Sequence, residues 1–413
     1  MDLFSVITIL VVLSAGFGYI NTRYLKLPQT IGLMTMALIF SLLMIVANYL
    51  FPTVFHFAEI IVENINFSEV LLDIMLSFLL FAGALHTDIN LLRKEKRSIA
   101  LFSLAGVIIS TFTIATLLFL LLKLMHHPID YIYCLLFGAL ISPTDPIAVL
   151  GILKKSNVPE KVETNIVGES LFNDGIGVVL FLSILEIYRV GLEKFGFTDI
   201  LLLLIQEAGG GILFGLLLGY GMFRLLKSID DYETEVIITL AGVMGGYLLA
   251  NKLHISGPLA IVVAGLFTGS KSKESAMSAK TELYVDKFWE LIDVLMNAIL
   301  FVLIGLRLMV LDFSISYVLL GILAIPIVLL ARWMAIRLPL FITRKSKAFD
   351  SRDVTLMVWG GLRGGLSIAM ALSLARNTEK DMIVFITYSV VLFSILVQGL
   401  TVGKMAGKLY HTK

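Results

Sequence analysis

Apolar stretches of about 20 residues follow one another almost from end to end of the chain, separated by short polar joints. That is the length a helix needs to cross the hydrocarbon of a bilayer. The pattern predicts thirteen helices, over about 3–20, 30–51, 67–86, 98–123, 130–153, 164–189, 199–227, 233–252, 257–270, 284–309, 315–343, 351–376 and 381–406. The ninth, GPLAIVVAGLFTG, is opened by Gly257 and Pro258 and is short enough for a bent or half-length element. The opening run MDLFSVITILVVLSAGFGYI lacks a basic leader and runs straight into the next span, so a retained first helix is expected there and not a cleaved signal.

Lysine and arginine are retained on the cytoplasmic side of a membrane. With the N-terminus outside, about 21 fall in cytoplasmic segments and about 7 in external ones. A helix missed or invented midway would dissolve that asymmetry, because every later loop would change sides. The split therefore predicts an odd number of spans with the C-terminus in the cytoplasm. Four basic residues fall inside spans: Lys287 and Arg337 within reach of an interface, Arg332 and Arg363 nearer the middle. The deep acids are Asp145, Glu169 and Asp174. Charges at that depth face protein or a wet cavity and are paired, and this set can largely neutralise itself.

Composition agrees with lipid as the solvent: 58% of residues are hydrophobic and 15% charged, against roughly 45–50% and about 25% in a soluble domain. No length remains for a soluble catalytic domain. The single cysteine, Cys134, excludes an intrachain disulfide or a cysteine metal cluster. The six histidines lie mostly in or beside loops, and no span holds a nucleophile–base pair or an HExxH run. An enzyme, a cofactor and a nucleic-acid partner are not expected. Glu69, Asp73 and Glu207 are explained equally by packing, dimer contacts or interfacial exposure, and Asp286, Glu290 and Asp293 are expected to form a wet amphipathic face at the start of span ten.

Span five reads YIYCLLFGALISPTDPIAVLGILKK. Pro143 and Pro146 remove the donors that the carbonyls of Ala139 and Ser142 need, and disfavour helical geometry at Ser142 and Asp145. The helix is expected to unwind there, with Ser142, Thr144 and Asp145 on hand for the freed groups; a simple proline kink is the alternative. Span twelve, VWGGLRGGLSIAM, surrounds Arg363 with four glycines, which suit a second break or close helix packing. Interrupted spans at corresponding places in two halves predict inverted six-helix repeats flanking a linking seventh helix, with a site at midplane where the broken helices cross.

In ESLFNDGIGVVLF, residues 169–181, Ser170 and Asp174 share one helical stripe and Glu169 and Asn173 the adjacent one. Asp174 with a hydroxyl one turn away and an amide beside it suits an oxygen cage for a small hard cation, with Asp145 as a nearby second carboxylate. Glu169 is better explained as the partner of a deep arginine; membership of a structural ion pair is the alternative for each of these acids. A carboxylate neutralised by a proton or by a cation, but not by both, makes the two compete. Crossing with the site empty would desolvate a bare charge. Competition with that restriction is exchange.

SPTDP, then GESLFNDG, then GGLRGG resemble the NhaP-type sodium/proton antiporters, the group that includes the eukaryotic sodium/proton exchangers, over essentially the whole chain. The resemblance implies an all-α polytopic membrane protein of the antiporter fold and a homodimer, each protomer with a dimerisation part (about 1–90 and 199–309) and a mobile core (about 98–189 and 315–406) working by elevator-like alternating access. It implies that Asp174 is the essential cation and proton carboxylate, Ser170 a side-chain ligand of the transported sodium and Thr144 a ligand through its carbonyl. Asp145 and Asn173 match neighbours that shape the site. Glu169 matches the acid paired with the arginine of LLARW, here Arg332, and Arg363 a second functional arginine. Asn173 before Asp174 implies electroneutral exchange of sodium, or lithium, for protons. One departure stands out: where some relatives carry an acid in the third span, this chain has Ala82 in LLFAGALHTD. The chain also stops soon after its last span, so a prokaryotic inner-membrane protein without a long regulatory tail is expected. The competing readings are potassium/proton exchange by the same fold and, from another class, a passive channel.

Overall fold

The computed structural model describes residues 3–50, 69–127, 129–145, 153, 158–191, 197–308, 314–343, 349–374 and 378–410. Among them regular structure is helical: α1 (Leu3–Ile20), α2 (Gln29–Leu50), α3 (Leu76–Leu85), α4 (Ile89–Leu124), α5 (Tyr131–Ile141), α6 (Glu160–Val190), α7 (Phe197–Leu226), α8 (Tyr232–Lys252), α9 (Gly257–Phe267), α10 (Ala279–Leu308), α11 (Ile315–Ile342), α12 (Ser351–Trp359), α13 (Gly365–Leu372) and α14 (Glu379–Tyr410). Seven of the described helices are long and apolar enough to cross a membrane, and three shorter apolar helices accompany them.

The ends of these helices follow local chemistry. α4 begins nine residues ahead of the expected start at 98, because Asp88 caps it by accepting from Asn90 N at 2.7 Å. Its first turns are amphipathic: Leu92 and Ile99 are buried while Arg93, Lys94, Lys96 and Arg97 face outward. An apolar-window reading misses such a stretch because its mean hydropathy is low although its period is helical. The ninth element is short, as its Gly-Pro opening suggested, and Ser256 caps it through Leu259 N. α12 starts at a capping box in which Asp350 accepts from Arg352 N and Asp353 N while Asp353 accepts from Asp350 N.

Two helices are interrupted. α5 ends at Ile141, and Ser142 to Asp145 continue in non-helical backbone; of the rest of the expected fifth span, residues 146–152 lie outside the described residues and Leu153 is helical and buried. The expected twelfth span is α12 and α13 with Gly360 to Gly364 between them. The two interruptions meet: Asp145 N donates to Leu362 O at 2.7 Å in an isolated antiparallel bridge.

Packing gathers the helices into two groups. α4 lies against α5 and α11, α11 against α14, and α13 against α5 and α14. α7 lies against α9, α9 against α3, and α10 against α1, α2 and α3. α6 touches both groups, through α5 on one side and α9 and α7 on the other. α4 packs along α5 and α11 along α12, so each interrupted element has a long helix beside it.

Candidate functional site

The site is built where the interruptions cross on α6. Gly177 allows the approach: a Cβ there would collide with the Pro143 ring, so only glycine lets the unwound segment lie directly on the helix. Asn173 then holds Thr144 from two directions. Its Oδ1 accepts from Thr144 N at 3.2 Å, and its Nδ2 donates to Thr144 Oγ1 at 2.9 Å. Ser170 completes the set, its hydroxyl 2.8 Å from that of Thr144. Thr144, Ser170 and Asn173 are all buried. The amide expected beside the cation thus takes up one backbone N–H freed at the break, that of Thr144, and fixes the Thr144 side chain.

Arg363 supplies what remains. Its Nη1 donates to the carbonyls of Ser142 and Pro143, the latter at 2.8 Å, and its own N donates to Ser394 Oγ at 2.8 Å. The sequence suggested that Ser142, Thr144 and Asp145 would satisfy the freed backbone. The carbonyls are instead met by a guanidinium from the other broken element, which can reach two acceptors at once and offsets the negative end of α5. Ser142 Oγ turns back to Gly138 O at 2.6 Å and approaches Thr111 Oγ1 at 3.2 Å.

Glu169, one residue before Ser170, points away from this cluster. It receives both guanidinium nitrogens of Arg332, Nη2 at 2.9 Å, and Arg332 Nη2 also reaches Met357 O at 3.3 Å. Both side chains are almost completely buried, and Gly361 leaves the space the guanidinium occupies. The bidentate pair ties α6 to α11 and α12.

Asp174 and Asp145 line a chamber of about 70 Å³ together with Thr144, Pro143, Asn297, Gly364, Gly365 and Ser367. Ser170 and Asn173 are not part of its wall. Asp174 lies within electrostatic range of both Asp145 and Arg363. The start of α13 adds backbone at Gly364 and Gly365, and a Cβ on Gly364 would stand 2.7 Å from Asp145 Oδ2. Gly364→Ala is accordingly expected to push Asp145 aside and raise the half-saturating cation concentration by about an order of magnitude, roughly 1.4 kcal/mol, with little change in the melting temperature of the purified protein. Titration of transport against cation concentration checks it.

Gly83 belongs both to the chamber and to a wider funnel of about 380 Å³, lined by Ala82, His86, Asp88, Leu91, Glu160, Glu163, Thr164 and Asp293. Ala82, the departure noted above, thus lines the way in. Among the polar residues of the chamber wall, Asn297 and Ser367 carry no expectation from the sequence. Asp293 was grouped with Asp286 and Glu290, but the three separate: Asp286 pairs with Lys273 at 2.6 Å, Glu290 is exposed beside Lys287, and Asp293 faces the funnel. The signal was present in the i, i+4 spacing of Asp293 and Asn297. Lys380 is buried and donates to Leu372 O and Leu374 O at the end of α13. The side chains of Glu69 and Asp73 lie outside the described residues.

Comparison with known proteins agrees with this architecture. The chain is 47% identical to the Na(+)/H(+) antiporter NhaP of Pseudomonas aeruginosa over 97% of its length and 95% of that protein's. It is 34% identical to the Na(+)/H(+) antiporter NhaH of Halobacillus dabanensis, covering 99% and 98% of the two chains. It shares the fold of the sodium proton antiporter MjNhaP1 of Methanocaldococcus jannaschii, with a TM-score of 0.78 at 22% identity and both chains covered in full. The family model described as "Sodium/hydrogen exchanger, transmembrane" matches residues 9–408, and the chain, a multi-pass membrane protein with two helices broken at one crossing, belongs to that family.

Proposed function

We propose that the chain is a secondary active antiporter that exchanges Na⁺, and Li⁺ as a related hard cation, for H⁺ by alternating access of one carboxylate site. The observation that carries this reading is the chamber: Asp174 and Asp145 share about 70 Å³ at the crossing of two interrupted helices, reached by a funnel from one side. Asp174 is the group that exchanges ligands. A proton or a metal ion neutralises it, and each displaces the other. Thr144 supplies an oxygen ligand to the bound ion through its carbonyl, Ser170 holds the Thr144 hydroxyl from behind the wall at 2.8 Å and comes to the ion only with a local shift, and the wall groups Asp145 and Ser367 tune its affinity. Asn173 spends both ends of its amide on Thr144 and adds no charge, which supports an electroneutral one-for-one cycle.

The two packing groups support a division of labour. α4, α5, α6 and α11–α14 form the moving core, corresponding to about 98–189 and 315–406. α1–α3 and α7–α10, about 1–90 and 199–309, form a scaffold through which two copies associate in a cell membrane. The funnel wall includes Asp88, Glu160 and Glu163 on the segments whose basic residues assign them to the cytoplasm, so the described conformation opens inward.

Proteoliposomes with an imposed pH gradient test the reading. Addition of sodium or lithium to the outside of vesicles loaded at acid pH is expected to alkalinise the lumen, at a rate unchanged by clamping the membrane potential at zero with potassium and valinomycin. Proton movement that proceeds without any counter-cation would instead mark a channel, and a response confined to potassium would reassign the cation.

A further inference from the structure

The funnel wall holds an acid for which the exchange cycle has so far no task. Asp293 lies on α10, and one turn further on the same face Asn297 lines the inner chamber. Asn297 Nδ2 donates to Asp293 Oδ1 at 3.1 Å and to Asp293 O at 3.0 Å, so the amide fixes the carboxylate at the boundary between the two cavities. Asn297 is buried and Asp293 half-buried, with its carboxylate facing the funnel space. The charge of Asp293 also reaches Asp145 on the far side of that boundary. The other charged or titratable groups of the funnel wall are His86, Asp88, Glu160 and Glu163, which makes its field predominantly negative.

α10 packs chiefly on α1, α2, α3 and α8, and meets the core that carries Asp145 and Asp174 at α13 and through the Tyr388 hydroxyl on Ile304 O. We propose that Asp293 is a relay carboxylate for the transported cation on the funnel side, taking the ion from the funnel and passing it to the Asp145–Asp174 chamber, and that it acts from this side alone. The sidedness follows from the scaffold position: when the core moves, its two aspartates leave Asp293 behind, and the opposite opening has no part in this residue. The inference rests on the antiport cycle proposed above. Asp293 is a specificity-determining residue for ion delivery, while the exchange itself belongs to Asp174.

The test measures half-saturating sodium separately from the two faces of the full-length protein, in everted and right-side-out membrane vesicles. Asp293→Asn keeps an oxygen that can accept from Asn297 and removes only the charge. It is expected to raise half-saturating sodium about tenfold from the cytoplasmic face, with the value from the other face and the maximal rate unchanged. Asp293→Glu is expected to recover most of the lost affinity. An equal shift at both faces, no shift at either, or a lowered maximal rate that saturating sodium does not restore overturns the assignment. The wild-type protein, run alongside, separates the two levels: if it moves no protons in exchange for sodium from either face, it is the antiport reading that has failed, whatever Asp293 does.

Discussion

Asp174→Asn is expected to abolish sodium-dependent proton movement while leaving a folded, correctly assembled protein. The amide has nearly the shape of the carboxyl group but can neither release a proton nor neutralise a metal ion, so both competing ligands are lost together. Removing one member of a desolvated charge pair costs about 3–5 kcal/mol. Binding should therefore weaken by at least about a hundredfold, enough to empty the site at working concentrations. Stability should largely hold, because Asp174 faces a cavity and makes no ion pair among the described residues: Arg363, within electrostatic range of it, keeps its bonds to Ser142 O and Pro143 O. Reconstituted transport and thermal unfolding of the same preparation check the two halves. Wild-type exchange in this variant would falsify the role given to the residue.

Glu169→Gln is expected to produce the opposite pattern. Five residues away on the same helix, Glu169 contacts no part of the chamber and instead neutralises Arg332 in a region where both side chains are almost wholly buried. The glutamine can retain one hydrogen bond but leaves the guanidinium charge unpaired where both side chains are buried, at a cost of about 3–5 kcal/mol. Lower yield and a markedly lower melting temperature should follow, with near-normal cation affinity in whatever fraction folds. The double replacement Glu169→Gln with Arg332→Met removes both charges and should regain much of the stability, since an apolar pair of similar volume often serves as well as a buried ion pair. A normal melting temperature combined with weakened ion affinity in Glu169→Gln would place the residue in the transport site instead.

These contrasting expectations for two acids five positions apart show what a linear reading can reach. The membrane class was legible because apolar runs of bilayer length leave few alternatives, and the breaks because two prolines deny a helix its regular bonds and clustered glycines lower its propensity by their backbone freedom. The chemistry of GESLFNDG was legible as a set of residue types, since helical spacing alone places Ser170 with Asp174 and Glu169 with Asn173. Which of those groups meets an ion and which holds the backbone was not, because that depends on what approaches α6 from outside.

Periodicity and composition on their own determined the helical membrane architecture, the places of interruption and the candidate carboxylates, all properties of the chain within one or two turns. Only the tertiary structure decided that Asn173 supports Thr144, that Arg363 caps α5 across a separation of more than two hundred residues, and that Asp293 faces the funnel while Asp286 and Glu290 do not. The physical reason is the same in each case. A polar group inside a membrane protein must find a partner or a wet cavity, and which one it finds is set by contacts between distant helices that no local pattern records.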